Sequence, residues 1–151
     1  MSVREISLSG DDVWIGYLLK IVQHRLRLRL EAALAETGAS PSQNAALLAV
    51  MSNPRISNAA LARAAFVTPQ SMQSMLVTLE RDELIVRTPH PKHGRIIMTE
   101  LTEKGRLAAQ LGMVAAETVE RQMLANLTDD EAAILRRLLQ LCAFALDEDD
   151  Q

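Results

Sequence analysis

Met72, Met75, Leu76 and Leu79 recur at the i, i+3, i+4 and i+7 spacing of an α-helix, so residues 68–81 have to lay one apolar stripe against a core. The start of that helix is written into the chain. Thr68 can accept a hydrogen bond from an otherwise unpaired first-turn N–H, and Pro69 suits the first helical position. The opposite face carries Gln70, Gln73, Ser74, Val77, Thr78 and Arg81. Such a mix of amides, hydroxyls, one methyl-bearing side chain and a single charge suits the major groove of DNA. There amides pair with adenine, hydroxyls meet several base edges, and an apolar group meets the thymine methyl. Alone, the stretch is equally an ordinary amphipathic surface helix. Its neighbours decide between the two.

Upstream, apolar positions from Val13 and Trp14 to Ala33 and Leu34 hold helical spacing for about six turns, longer than most globular helices, which predicts one helix over residues 11–37. Asp11 or Asp12 would begin it and Gly38 stop it, with residues 1–10 a loose arm. Ser40-Pro41-Ser42-Gln43 is a capping box opening a helix to Met51, Asn53-Pro54 ends it, and Arg55-Ile56 reads as a short extended piece. Ser57 then caps a short helix from Asn58 with Ala60, Leu61 and Ala64 inward. A turn of about three residues separates it from the helix at Pro69, which is helix-turn-helix spacing.

Downstream, Leu84-Ile85-Val86-Arg87-Thr88 and Arg95-Ile96-Ile97-Met98-Thr99-Glu100-Leu101 flank a tip of Pro, Gly, His and Lys, the pattern of a hairpin with a longer loop. Lys92, Arg95, His90 and His93 make that tip costly to bury, so it reads as a basic wing aimed at phosphate or a narrow minor groove. Thr102 caps a helix over residues 103–126, and Thr128-Asp129-Asp130-Glu131 is a second capping box for a last helix to Leu146. These helices and the first are too apolar to stand alone beside a small winged domain, which predicts a helical dimer interface.

The net charge of −3 is low for a nucleic-acid binder, but its distribution matters more. Residues 52–106 carry eight basic and five acidic side chains, net +3, whereas residues 107–151 carry three and nine, net −6. One face thus suits a polyanion and another is kept from it. The single cysteine, Cys142, excludes an intrachain disulfide and sits in an apolar helical context where a thiol acts as a small hydrophobe. No signal peptide or long apolar run is found, so a cytoplasmic protein without membrane contact is expected. Catalysis is not expected: there are three histidines, no Gly-rich phosphate loop and no nucleophile with a credible base. No cofactor is expected. His90 and His93 lie three apart, yet nothing in the spacing supplies further metal ligands, and exposed DNA-contacting histidines are the plainer reading. Trp14, Tyr17, Ile21 and His24 form one stripe on the first helix, suited to an aromatic or amphipathic ligand or to packing in a dimer core.

The order of elements, together with Leu61-Ala62-Arg63-Ala64, Val67-Thr68-Pro69-Gln70-Ser71-Met72, Leu79-Glu80-Arg81-Asp82-Glu83-Leu84-Ile85, Gly94-Arg95 and Leu101-Thr102-Glu103-Lys104-Gly105, resembles the MarR family of transcriptional regulators over nearly the whole chain. The expected fold is mainly α with a small β-wing, a winged helix-turn-helix plus a helical dimerisation region. It forms one domain over 1–151, with residues 40–101 binding DNA and residues 11–38 and 102–146 dimerising. The resemblance implies a homodimeric regulator, a repressor by type, on a pseudo-palindromic double-stranded operator, released by a small molecule in a pocket between dimer helices and winged domain. The expected DNA contacts are Ser57 and Asn58; Thr68, Pro69, Gln70, Ser71, Gln73, Ser74, Thr78 and Arg81; and, in the wing, Arg87, His90, Lys92, His93 and Arg95. The alternative is a winged-helix protein-interaction module without DNA binding. Two departures from the family pattern stand out. Glu83 stands where family members tend to carry Gly, the usual residue for a left-handed helix end, so either the turn differs here or it costs about 1 kcal/mol in strain. His93 replaces an Asp two residues before the wing arginine, Arg95, and so supplies no carboxylate to orient it.

Overall fold

The computed structural model describes residues 13–147, so the expected arm and the acidic tail beyond Asp147 lie outside the described residues. The expected helix start at Asp11 or Asp12 is corrected: Val13 is not helical and Trp14, extended at φ −60° and ψ 131°, is the N-cap, so Trp14 precedes the helix that carries Tyr17, Ile21 and His24. Helix α1 spans Ile15–Leu34 and ends in a 3₁₀ turn, Ala35–Thr37, before Gly38 at φ 73°. Helix α2 spans Pro41–Ser52 behind the expected capping box: Ser40 Oγ accepts from Gln43 N–H at 3.2 Å, and Ser40 N–H donates to Gln43 Oε1 at 2.9 Å. Strand β1 is Ile56–Ser57, α3 is Asn58–Ala64 and α4 is Pro69–Arg81. Strands β2, Ile85–Pro89, and β3, Ile97–Leu101, form the wing, followed by α5, Glu103–Met123, and α6, Asp129–Asp147. The sheet runs β1-β3-β2, antiparallel throughout, with Ile56 opposite Thr99 and Arg87 opposite the same residue from the other side.

The chain divides into two compact units, one through Val119 and one from Glu120. The core of the first joins Ala46, Leu47 and Val50 of α2, Leu61 and Ala62 of α3, Met72, Leu76 and Leu79 of α4, Ile85 of β2 and Ala109 of α5. The apolar stripe read from residues 68–81 is therefore the face that α4 buries, with Met75 half-buried at its edge. The inward face expected of α3 needs correction. Ala64 is exposed and Ala62 takes its place in the core, because α3 is only two turns long and Ala64 already lies at its C-terminal end. On α5 the buried residues are Gly105, Ala109, Gly112 and Val119, while Leu107, Leu111 and Val114 stand exposed on another face, as the expected dimer interface requires. α5 itself stops at Met123 rather than continuing to residue 126.

In the second unit, Thr128 and Glu131 form the expected box: Thr128 N–H donates to Glu131 Oε2 at 2.8 Å and Glu131 N–H to Thr128 Oγ1 at 3.2 Å. The donation from Thr128 backbone and hydroxyl holds the Glu131 carboxyl below its ordinary value. The contribution of this cap is present at neutral pH and fades as pH falls through that lowered value. No residue of α6 is buried in the chain; Ala132 and Leu135 are half-buried, and Cys142 is exposed.

Two helix ends use the left-handed region without glycine. After α4, Leu84 N–H bonds Leu79 C=O at 2.9 Å and Glu83 N–H bonds Glu80 C=O at 3.0 Å, a Schellman motif with Glu83 at φ 60°. After α3, Val67 N–H bonds Ala62 C=O at 3.0 Å and Phe66 N–H bonds Arg63 C=O at 3.2 Å, with Phe66 at φ 53°. A side chain in this region costs about 1–2 kcal/mol, and a glycine loses part of that gain to its freer unfolded state. Glu83→Gly is accordingly expected to raise stability by about 0.5–1 kcal/mol in urea denaturation. An unchanged or lower midpoint would show that the motif carries no strain.

Candidate nucleic-acid interface

The exposed side of α4 is set by its cap and by its buried face. Thr68 Oγ1 accepts from Ser71 N–H at 3.1 Å and donates to Ser71 Oγ at 2.9 Å, so both hydroxyls are engaged in starting the helix behind Pro69. Gln70, Gln73, Ser74 and Val77 are exposed, and Thr78 is half-buried beside them. Ser74 and Thr78 donate their hydroxyl protons back to Gln70 C=O and Ser74 C=O, both at 3.3 Å, which leaves their oxygen lone pairs as acceptors toward a ligand. Ser57 is occupied as the N-cap of α3, accepting from Ala60 N–H at 3.3 Å.

The cations divide into two kinds. Arg87, expected as a wing contact, is mostly buried, with its side chain 16 % exposed, and donates from Nε and Nη2 to Glu80 Oε2 at 3.0 and 2.9 Å. Its charge is spent on α4 and is not presented as a free phosphate ligand. Arg81 donates to Asp82 Oδ1 at 3.0 Å, and that hydrogen bond, with the Asp82 charge, holds its guanidinium above its ordinary value. Lys92 and Arg95, by contrast, are exposed at the tip, and neither makes an ion pair among the described residues.

The tip is a compact turn. His90 N–H bonds Ile96 C=O at 2.7 Å, Ile96 N–H bonds His93 C=O at 2.8 Å, and His90 Nδ1 accepts from Lys92 N–H at 3.1 Å. The two imidazoles lie 5.2 Å apart between ring centres. Among the described residues no group of three His, Cys, Asp or Glu is placed to hold a metal ion. No helix among them is long and apolar enough to cross a membrane.

Sequence reasoning missed four participants. Glu80 anchors Arg87 seven residues away, a pairing across two elements that no spacing rule announces. Thr102 and Lys104 tie the start of α5 to the end of α4: Thr102 Oγ1 donates to Glu83 C=O at 2.6 Å and Lys104 Nζ to Asp82 C=O at 2.8 Å. Phe66, in the turn between α3 and α4, is 96 % exposed, and nothing in the fold explains a phenyl ring there.

The expected ligand stripe is also open. Trp14 is 84 % exposed, with Tyr17 and His24 exposed and Ile21 half-buried. A separate cleft of about 470 Å³ lies between the 3₁₀ turn after α1, the end of α4 and the start of α5, lined by Thr37, Gln43, Leu84, Lys104, Leu107 and Leu111 among others and by none of those four side chains.

Comparison with known proteins gives one answer. The model of the MarR family matches residues 37–96, which hold α2 to α4 and the wing up to Ile96. The HTH-type transcriptional repressor Rv2887 of Mycobacterium tuberculosis is 33% identical over 131 residues, covering 87% of this chain and 94% of that protein. The crystal structure of Rv2887 with salicylic acid superposes with a TM-score of 0.72 at 32% identity, over 87% of this chain and 98% of the other. Its crystal structure with DNA gives a TM-score of 0.72 at 30% identity over the same shares of the two chains. On these matches, and on the helix-turn-helix and wing that carry them, the chain belongs to the MarR family.

Proposed function

We propose that the protein is a homodimeric, sequence-specific DNA-binding transcription regulator, a repressor by type, that reads a pseudo-palindromic operator. The observation that carries this reading is the pairing of an N-capped α4, whose exposed side is amides, hydroxyls and Val77, with a wing tip whose Lys92 and Arg95 are uncommitted. Residues 40–101 form the DNA-binding part, and residues 11–38 and 102–146 the dimerising part. Gln70, Gln73 and Ser74 read bases. Lys92, Arg95 and the two wing histidines hold phosphate or the minor groove, while Ser57, Asn58, Thr68, Pro69, Ser71, Thr78, Arg81 and Arg87 shape and position that surface. The relative Rv2887 has been crystallised with DNA, which supports the assignment.

Salicylic acid in the other Rv2887 crystal supports a small aromatic acid as effector here. The cleft beside Lys104 falls within the usual size of a ligand pocket, and the Trp14 stripe is the alternative seat. Trp14 is the single tryptophan, so its fluorescence reports directly on the second seat.

A second reading, a winged module that binds protein, draws on Phe66, since exposed aromatics serve as anchors in protein interfaces. Fluorescence anisotropy with duplex from upstream of the protein's own coding region, against scrambled duplex at several salt concentrations, separates the two. The DNA reading expects sequence preference and a steep salt dependence, with Lys92→Ala weakening all duplexes alike and reducing the salt slope by about 1. Weak, equal binding of both duplexes, and of selected random-pool DNA, would leave the protein-binding reading. Salicylate added to the bound complex is expected to lower the anisotropy.

A further inference from the structure

Gln73 stands at the centre of a hydrogen-bonded chain that crosses three elements. Its Oε1 accepts from Asn58 Nδ2 of α3 at 3.1 Å and from Arg87 Nη1 of β2 at 3.4 Å. Arg87 is in turn held by two bonds to Glu80 Oε2, at 3.0 and 2.9 Å. An amide oxygen has two lone pairs, and here both have donors. The arginine also decides which way the amide points. A guanidinium only donates, so the atom facing Arg87 has to be the oxygen and cannot be the NH₂ group. What Gln73 presents on the exposed side of α4 is therefore its Nε2 with two hydrogens, a donor and nothing else.

That restricts what it can read. The two-point contact between glutamine and adenine needs a donor to N7 and an acceptor for the N6 amino group. Gln73 has only the first half to offer. Guanine shows two acceptors side by side in the major groove, N7 and O6, whereas cytosine shows a donor that would face the Nε2 hydrogens. We infer that Glu80 and Arg87 act as positioning residues that lock Gln73 as a donor, so that the base it faces is read as guanine in preference to adenine. The inference rests on the DNA reading and goes beyond it, since that reading requires only that Gln73 touch a base. Gln70 accepts no such bond through its side chain among the described residues and stays free for the adenine contact.

The test begins with the full-length protein and a randomised duplex pool, to obtain the preferred site. The pair read by Gln73 is the one at which Gln73→Ala loses discrimination. Wild type is expected to bind about tenfold more weakly when guanine there is changed to adenine, and to lose affinity with 7-deazaguanine. In the double variant Glu80→Gln/Arg87→Met the amide is released without leaving an unpaired carboxylate, and the guanine preference is expected to fall to about twofold or to invert. Asn58→Ala, which frees the other lone pair, should erode it in the same direction and serves if the double variant fails to fold. An adenine preference in wild type, an undiminished guanine preference in both variants, or a Gln73→Ala protein with unaltered discrimination at every pair would each overturn the inference and leave the regulator standing. A wild-type protein that selects no sequence would overturn both.

Discussion

Gly105→Ala is expected to destabilise the protein by about 3 kcal/mol, although the same exchange inside an ordinary helix stabilises by about 1 kcal/mol. The sign is reversed by what lies against the residue. A Cβ built at Gly105 would stand 2.8 Å from the carbonyl carbon of Leu84 and closer still to its oxygen. That oxygen also accepts Thr102 N–H at 3.1 Å, so it is pinned between α5 and the end of α4 and is backbone, which cannot rotate away. Relief requires the first turn of α5 to move, and that turn holds Thr102 Oγ1 on Glu83 C=O and Lys104 Nζ on Asp82 C=O.

The loss should therefore appear twice, as a lower urea midpoint and as weaker DNA binding by the fraction that remains folded. The end of the recognition helix is held by the turn being displaced. Gly112→Ala meets a side chain instead, the buried Asn44, and is expected to cost less, about 1–2 kcal/mol. Gly16→Ala, with open space around the new methyl, should be neutral or mildly stabilising. Equal midpoints for the three variants would show that the close approach at Gly105 is not what α5 depends on.

This contact also explains a motif that could be quoted from the sequence but not interpreted there. In Leu101-Thr102-Glu103-Lys104-Gly105, Thr102 was legible as a cap, and it does accept Gly105 N–H at 2.9 Å. Its second task, closing the C-terminal end of α4 together with Lys104, joins residues about twenty positions apart, and no local period encodes that. The same division runs through the molecule. The caps at Ser40, Ser57, Thr68 and Thr128 and the buried stripe of α4 are local, and each was readable from residue type and spacing, whereas the left-handed Glu83 was suggested only by the resemblance to a family that carries Gly there.

Long-range choices were not readable. Arg87 sits in a β-branched run beside a basic tip and so looked like one more wing cation, yet its side chain turns to Glu80 on α4. On α5 the helix approaches Leu84 and Asn44 through Gly105 and Gly112, because only a residue without a Cβ comes that close, and no local period announces it. The face left out, Leu107, Leu111 and Val114, is the one that the dimer argument needs.

Replacing Leu138 and Leu141 of α6 by aspartate is expected to separate the dimer and to weaken operator binding by at least about a hundredfold. Both side chains are about half exposed in the chain, at 50% and 52%, and lie three residues apart, so they share a face. Exposed apolar residues of this density on one helix, with Ile134, Leu139, Phe144 and Leu146 exposed as well, exceed what a lone surface helix carries. In a two-fold dimer each substitution counts twice, and covering the remaining half of each leucine contributes about 1 kcal/mol. The four sites together thus contribute about 4 kcal/mol before any repulsion between the new carboxylates.

Sedimentation at micromolar concentration reads the first effect and anisotropy on the palindromic site the second. The two are linked by the loss of tethering between half-sites, so a single half-site duplex should be bound nearly as well by the variant as by wild type. A variant that stays dimeric would place the interface elsewhere. One that dissociates yet binds the full palindrome undiminished would mean that this protein reads DNA one copy at a time.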